Sequence, residues 1–413
     1  MLSLDQVQTV AFAGIILFVG YGVRRLIPVL AKYNIPAPVV GGLLVAIAIT
    51  MARARGVTLI EFNTGLQAPL MIAFFTSIGF GASVALLRVG GPAVLLFFVA
   101  ATVMVALQNA IGAALALALG QPPLLGVLAG SVTMAGGPAT ALAFAPLFEE
   151  AGVPGAATFG VAAAMAGIVA GGLAGGPVGT WLISRGRARA ASPAHPAAAP
   201  GRPPLATNVV EDLMNEPAPR VPAGEDVETY ALLKAVVLIL AAMWVGSWLT
   251  LYFASIGITL PAYIGAMLVA AGLRNLDDRL RIIGISQRIV DDLGATSLAL
   301  FLVMALMTLR LWDLVGLALP LIIILVVQVA AVAAVAIVAI YPMMGRDYEA
   351  AVMSGGFIGF MLGTTANAMA NMTALVEKFG AAPKAFLVVP MVGAFFIDFT
   401  NALLITVFLN IWG

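Results

Sequence analysis

The chain has no cysteine, one histidine in 413 residues and only 9% charged residues. Without cysteine there is no disulfide, no thiolate nucleophile and no cysteine-ligated metal. The single histidine, His195, lies in a stretch rich in proline and alanine, which excludes histidine chemistry and a histidine metal site at membrane depth. The charged fraction is far below the roughly 25% of soluble domains. What fills the space is apolar: 62% of the residues are hydrophobic. Several uninterrupted runs exceed the ~18 residues that cross a bilayer. The chain is therefore expected to be an all-α polytopic membrane protein and not an enzyme. A net charge of +1 gives no reason to expect a nucleic-acid partner.

Ten spans are expected, near residues 7–27, 36–51, 69–87, 93–119, 157–184, 230–253, 257–273, 295–312, 315–343 and 385–410. Residues 1–184 and 230–413 form two halves of five spans each, joined by a flexible linker over 185–229 that is too polar and proline-rich to fold. The halves echo one another. Pro36, Gly41 and Leu44 match Pro261, Gly265 and Leu268, Gln108 matches Gln328, and Gly167 matches Gly393. An odd number of spans per half makes the second half inverted. With both termini outside and the linker in the cytoplasm, 17 of the 20 basic residues fall inside, all but Arg53, Arg55 and Arg310. The opposite orientation would violate the positive-inside rule.

Two stretches are apolar enough to enter a bilayer but too broken to be plain spans. One covers residues 353–372, where four glycines are followed by Thr364, Thr365, Asn367 and Asn371. The other covers 130–140, with Ser131, Thr133, Gly136, Gly137, Pro138 and Thr140. Each is expected to form a re-entrant hairpin, about 124–147 and about 351–375, with an unwound polar tip. Unpaired backbone at membrane depth is tolerated only where protein, water or a ligand satisfies it. Paired interruptions in corresponding halves point to the binding site of a secondary transporter. Of 19 acidic residues, Asp398 alone is expected inside a span, with Asn401 one turn on. The candidate substrate and ion site is thus Ser131, Thr133, Gly136, Gly137, Thr140, Thr364, Thr365, Asn367, Asn371, Asp398 and Asn401. Hydroxyl, amide and carboxylate oxygens suit a hard cation, so Thr364, Thr365, Asp398 and Asn401 are the sodium candidates. Asp398, the hairpin threonines and the asparagines could instead hold helices together, and Gln108, Asn109 and Gln328 are expected to cap or bridge helices. No lysine or arginine occurs in either hairpin or in the last span. An anionic substrate would have to be met by helix N-termini and by co-transported cations. A channel built from broken helices is the alternative from another class.

The run 385–398, together with Asn401 and Leu403, resembles the bacterial sodium/glutamate symporter family. So do residues 372–380, 33–44 and 108–112. The resemblance covers nearly the whole chain outside the linker. It implies sodium-coupled symport of L-glutamate by an elevator-type secondary transporter, in two inverted five-span repeats. It also implies a homodimer in the bacterial inner membrane, with Na+ as the co-transported ion and no other cofactor. Another amino acid, or a small organic anion such as a 2-hydroxycarboxylate, remains the alternative cargo.

Overall fold

The computed structural model describes residues 2–57, 60–85, 91–185, 226–256, 261–314 and 318–413. The expected linker over 185–229 lies almost wholly outside the described residues.

The first half contains α1 (Gln6–Leu26), α2 (Pro28–Lys32), α3 (Ala37–Ala54), α4 (Gln67–Gly81) and α5 (Gly91–Ala118). The short α6 (Pro123–Val127) follows, continued by a π-helical turn at Leu128–Val132, then α7 (Gly137–Glu150) and α8 (Ala156–Arg185). The second half contains α9 (Val227–Ser255), α10 (Ala262–Leu280) and α11 (Gln287–Met307). Next come α12 (Ala318–Val335), running on through a π turn into α13 (Tyr341–Met343), then α14 (Tyr348–Met361) and α15 (Thr365–Phe379). The chain ends with α16 (Pro383–Met391), a π turn at Val392–Phe396 and α17 (Ile397–Trp412). A helical stretch stands at each of the ten expected positions, and the two broken stretches form helix–break–helix units.

Seven of the described helices are long and apolar enough to cross a membrane. The other three expected spans fall short for visible reasons. The helix α4 has only 15 residues. Four charged residues, Arg274, Asp277, Asp278 and Arg279, crowd the end of α10. The last stretch is interrupted by Pro390 and its π turn. One element departs from an all-helical chain. Leu2–Leu4 (β1) pairs in parallel with Ile60–Phe62 (β2). Three-residue strands far apart in sequence leave no periodic pattern, so their pairing comes from tertiary contact.

The helices pack into two groups. α1, α3, α4, α9, α10 and α11 pack against one another. The hairpins pack with α5, α8, α12 and the last stretch. In the first group the close crossings use small residues. A methyl at Gly41 would lie 2.3 Å from the Ile16 carbonyl oxygen, and one at Gly265 would lie 2.1 Å from that of Gly246. These two glycines are matched in the sequence halves, and each follows a proline that begins its helix, Pro36 and Pro261. Contacts between the groups are sparse. They run mainly from α4 and α10 to the last stretch and from α11 to α7. Tyr263 sits at this boundary, stacked on Phe75 at 4.1 Å and met edge-on by Phe144 of the first hairpin at 5.5 Å.

Loop contacts bring both chain termini to one end. β1 pairs with β2, Arg53 lies over the Trp312 ring at 4.3 Å, and Thr158 Oγ1 donates to the Arg310 carbonyl at 3.2 Å. A methyl at Gly413 would lie 3.3 Å from Ala151 Cβ. Away from that end, Asn275 binds the end of α4, donating to the Ala82 carbonyl and accepting from Val84 N, both at 2.8 Å. The turn after α10 folds over Asp277, whose carboxylate accepts from the backbone N–H groups of Ile283, Gly284 and Ile285 at 2.7–3.1 Å. Burial pushes the Asp277 carboxyl up, but the three N–H groups and Arg274 outweigh it and hold the group below its ordinary value of 3.8. A depressed carboxylate stabilises the fold above its unfolded pKa, and that contribution is lost as pH falls through the folded pKa. Asp277→Ala should therefore cost roughly 2–3 kcal/mol, since three donors lose their acceptor. A thermal melt in detergent at neutral pH should show a clear drop, and the gap to the parent should narrow as the pH is taken from 3.8 down through the lower folded pKa.

Candidate functional site

The two breaks meet. In the first hairpin the helix loses its regular course at Gly130, with φ −91° and ψ −131°, and restarts at Gly137. In the second it stops at Met361 and restarts at Thr365, with Thr364 as the cap. A methyl on Gly137 would lie 3.7 Å from the Gly363 carbonyl oxygen and 4.0 Å from Thr364 Cγ2, so the tips are in contact. Gly137 has φ +67°, a left-handed turn that lets the chain reverse at the tip.

This junction has a definite polarity. α7 and α15 both begin there, so two helix N-termini converge on it. Each carries roughly half a positive charge and several unpaired N–H groups. The first arms, ending near Val132 and at Met361, bring carbonyl ends to the same place. The site therefore offers donors to an anion and oxygens to a cation without any basic side chain.

The last stretch ties both tips together. Thr365 Oγ1 donates to the Gly393 carbonyl at 2.9 Å, and Asn401 Nδ2 donates to the Ser131 carbonyl at 3.2 Å. Asp398 lies on the stretch between those two anchor points. It is half-buried and has no hydrogen bond or ion pair among the described residues. Asn401 is 1% exposed, with Oδ1 unpartnered. Asp398 and Asn401, expected on one helical face, thus differ in surroundings, the asparagine against the first hairpin and the acid partly open.

The remaining candidates sort by position. Ser131 and Thr133 are fully buried at the first break. Ser131 Oγ has no partner, and Thr133 Oγ1 donates to the Gly130 carbonyl at 3.5 Å. Gly136 is forced by Thr140, whose side chain a methyl there would meet at 2.5 Å. Thr364 accepts from Asn367 N at 3.4 Å. Asn367 is fully buried, donates to the Ile168 carbonyl of α8 at 2.6 Å and leaves Oδ1 free beside the tip. Asn371 lies a turn further on, away from the junction, and donates to the carbonyls of Gly171 and Gly355 at 3.0 and 3.4 Å, bridging α8, α14 and α15. No cluster of three or more acidic or histidine residues stands among the described residues.

The signal underweighted in the sequence is the pair Gln108–Asn109, two amides in the middle of a 28-residue apolar helix. Asn109 Oδ1 accepts from Ser131 N at 2.9 Å, and Gln108 Nε2 donates to the Met361 carbonyl at 2.8 Å.

A sequence model described as the sodium/glutamate symporter matches residues 2–381. The chain is 40% identical over 412 residues to the sodium/glutamate symporter of Escherichia coli (strain K12), covering 99% of this chain and 98% of that protein. It is 37% identical over 403 residues to the sodium/glutamate symporter of Haemophilus influenzae, covering 97% and 96%. The chain belongs to the sodium/glutamate symporter family. It is thus an integral membrane protein of a transporter family rather than an enzyme family. Where the family match covers the tips, it covers hydroxyls, amides and helix ends with no counter-charge from lysine or arginine.

Gly137→Val should abolish transport, because a β-branched residue is strained in the left-handed region by about 1–2 kcal/mol and would crowd the tip contact. Gly152→Val is the control: φ is +88° there, with nothing within 4 Å of an added methyl. Equal insertion of both variants, with uptake lost only in Gly137→Val, is the expected result. Equal loss in both would assign the effect to backbone strain alone.

Proposed function

We propose that the protein carries out sodium-coupled symport of L-glutamate across the bacterial inner membrane by alternating access. The observation that carries this is the meeting of two helix N-termini and two helix C-termini at one junction without a basic side chain. The substrate carboxylates take the N–H groups of Gly137, Ala139 and residues 364–366; Pro138 has none to offer and that of Gly136 is donated to the Ser131 carbonyl. Sodium takes carbonyl, hydroxyl and amide oxygens of the Thr364–Thr365 tip together with Asp398 and Asn401. An isolated anion would be costly here: L-glutamate is net −1, and the roughly one positive charge from two helix ends is offset by the Asp398 carboxylate beside them. Sodium supplies the rest of the charge, which is the physical origin of coupling. Asp398, unpaired and half-buried, is the one side chain available to neutralise a cation or the substrate amine.

The two packed groups support an elevator motion, with the hairpin group as the moving body and the α1, α3, α4, α9, α10 and α11 group as the scaffold. Sparse contacts between them, against dense contacts within each, are what a sliding boundary requires. The five-span halves are inverted repeats, with both termini outside, the linker cytoplasmic and two copies assembled as a homodimer. Matched Gln108/Gln328 and Gly41/Gly265 pairs and the distribution of 17 basic residues on one side support this arrangement. A reporter fused in the linker should be cytoplasmic and one at Gly413 external. Both on one side would refute the inverted arrangement.

Purified protein in liposomes tests the function. An inward sodium gradient should drive L-glutamate uptake, and a proton gradient without sodium should not. Asp398→Asn keeps shape but removes the charge, and should reduce uptake steeply in protein that still inserts. Thr365→Ala removes one neutral hydrogen bond worth about 1 kcal/mol and should weaken sodium dependence by several-fold. Parental sodium dependence and rate in Asp398→Asn would make the acid a helix bridge, and uptake without sodium would overturn the coupling.

A further inference from the structure

Two neighbouring residues on α5 hold the two hairpin breaks, one each. Asn109 Oδ1 accepts the N–H of Ser131, next to the irregular Gly130. Gln108 Nε2 donates to the carbonyl of Met361, the last residue of α14. Gln328, on α12, donates to the Gln108 backbone carbonyl at 2.7 Å. All three amides are fully buried.

Their bonding is unlike that of simple helix glue. Gln108 Oε1, Gln328 Oε1 and Asn109 Nδ2 are buried and have no partner. Each such atom carries a desolvation cost, and an apolar side chain of similar volume avoids it. The bonds made by the Gln108 and Asn109 side chains go to the backbone at the two breaks, where no helical partner is available. The packing is also tight. A methyl at Gly130 would fall 2.9 Å from both Asn109 Oδ1 and the Gln108 main-chain carbonyl oxygen, so only glycine lets the break lie this close to α5.

We propose that Gln108 and Asn109 are positioning residues that set the gap between the two hairpin tips, with Gln328 locking Gln108 in register. Adjacent residues on one rigid helix have a fixed separation. Fixing one tip to each therefore fixes the width of the junction at which Gly137 faces Gly363 and Thr364. The gap in turn sets the affinity for cargo and sodium. This rests on the tip junction being the transport site.

The test uses three variants and two readouts. Gln108→Leu keeps volume and removes the donor. Gln108→Glu, protonated, keeps the shape and an O–H donor. Gln328→Leu removes only the lock. The first readout is KM against maximal rate, per inserted protein, for L-glutamate and for sodium. The second needs no cargo: in this cysteine-free chain, a Gly137→Cys, Thr364→Cys pair reports tip contact by disulfide cross-linking. Gln108→Leu should raise both KM values about tenfold, the factor for one lost net hydrogen bond, with the maximal rate within about twofold and a clear fall in cross-linking. Gln108→Glu should restore both. Gln328→Leu should shift them in the same direction by a smaller factor. Should Gln108→Leu fail to insert, Gln328→Leu decides the matter by the same two readouts. Unchanged KM and cross-linking would overturn the proposal, as would a fall in the amount of inserted protein with neither readout altered. If the parent fails to take up glutamate, the functional reading fails, while cross-linking still decides whether these residues set the gap.

Discussion

Everything in this molecule depends on how two breaks in the backbone are satisfied at membrane depth. A helix interrupted in hydrocarbon leaves donors at one side of the break and acceptors at the other, and no water is there to take them. The chain answers with side chains from its neighbours. Asn109 and Gln108 reach one break each, Asn401 holds the Ser131 carbonyl, and Thr365 is moored to Gly393. What these leave over at the breaks includes Ser131 Oγ, Asn367 Oδ1 and Asn401 Oδ1, all buried and without a partner among the described residues. In the proposed reading the unsatisfied remainder is the site. The same constraint that makes broken helices costly makes them selective, because only a ligand of the right polarity can complete them.

That polarity also connects structure to coupling. A site using lysine or arginine for an anion would hold it whether or not sodium is present. Helix termini supply a weaker, fixed field, and one half-buried carboxylate, Asp398, opposes an anion until a cation joins it. In the proposed reading, binding of acid and of sodium are then mutually required, which lets a sodium gradient drive the cargo. The architecture around the junction serves the same end. The hairpins, α5, α8, α12 and the last stretch pack against one another, and in the proposed elevator motion the junction travels with them.

Much of this was legible in the sequence, and the reasons are physical. Glycines in apolar runs, with Pro138 in the first, marked both hairpins, since glycine loosens a helix and proline removes a backbone donor. Asp398 stood out because a lone carboxylate in a span is too costly to be incidental. Other features were not legible. The β1–β2 pair is fixed by tertiary contact, not by pattern. Asn371 looked like a tip residue by proximity along the chain, yet helix geometry carries it a turn away, onto the backbone of α8. The positions of Gln108, Asn109 and Gln328 against the breaks depend on how α5 and α12 cross the hairpins. Sequence showed that the amides were unusual, not which backbone group each would meet.

The central claim is that the cargo lies between the two hairpin tips, with its carboxylates on two helix N-termini. A structure of the protein determined with L-glutamate and sodium tests it most directly. The account predicts cargo density at the junction of residues 136–138 and 364–366, with sodium density beside Asp398 or the Thr364–Thr365 tip. Cargo density held elsewhere, for instance between α4 and α10, or a carboxylate paired with a lysine or arginine, would contradict it.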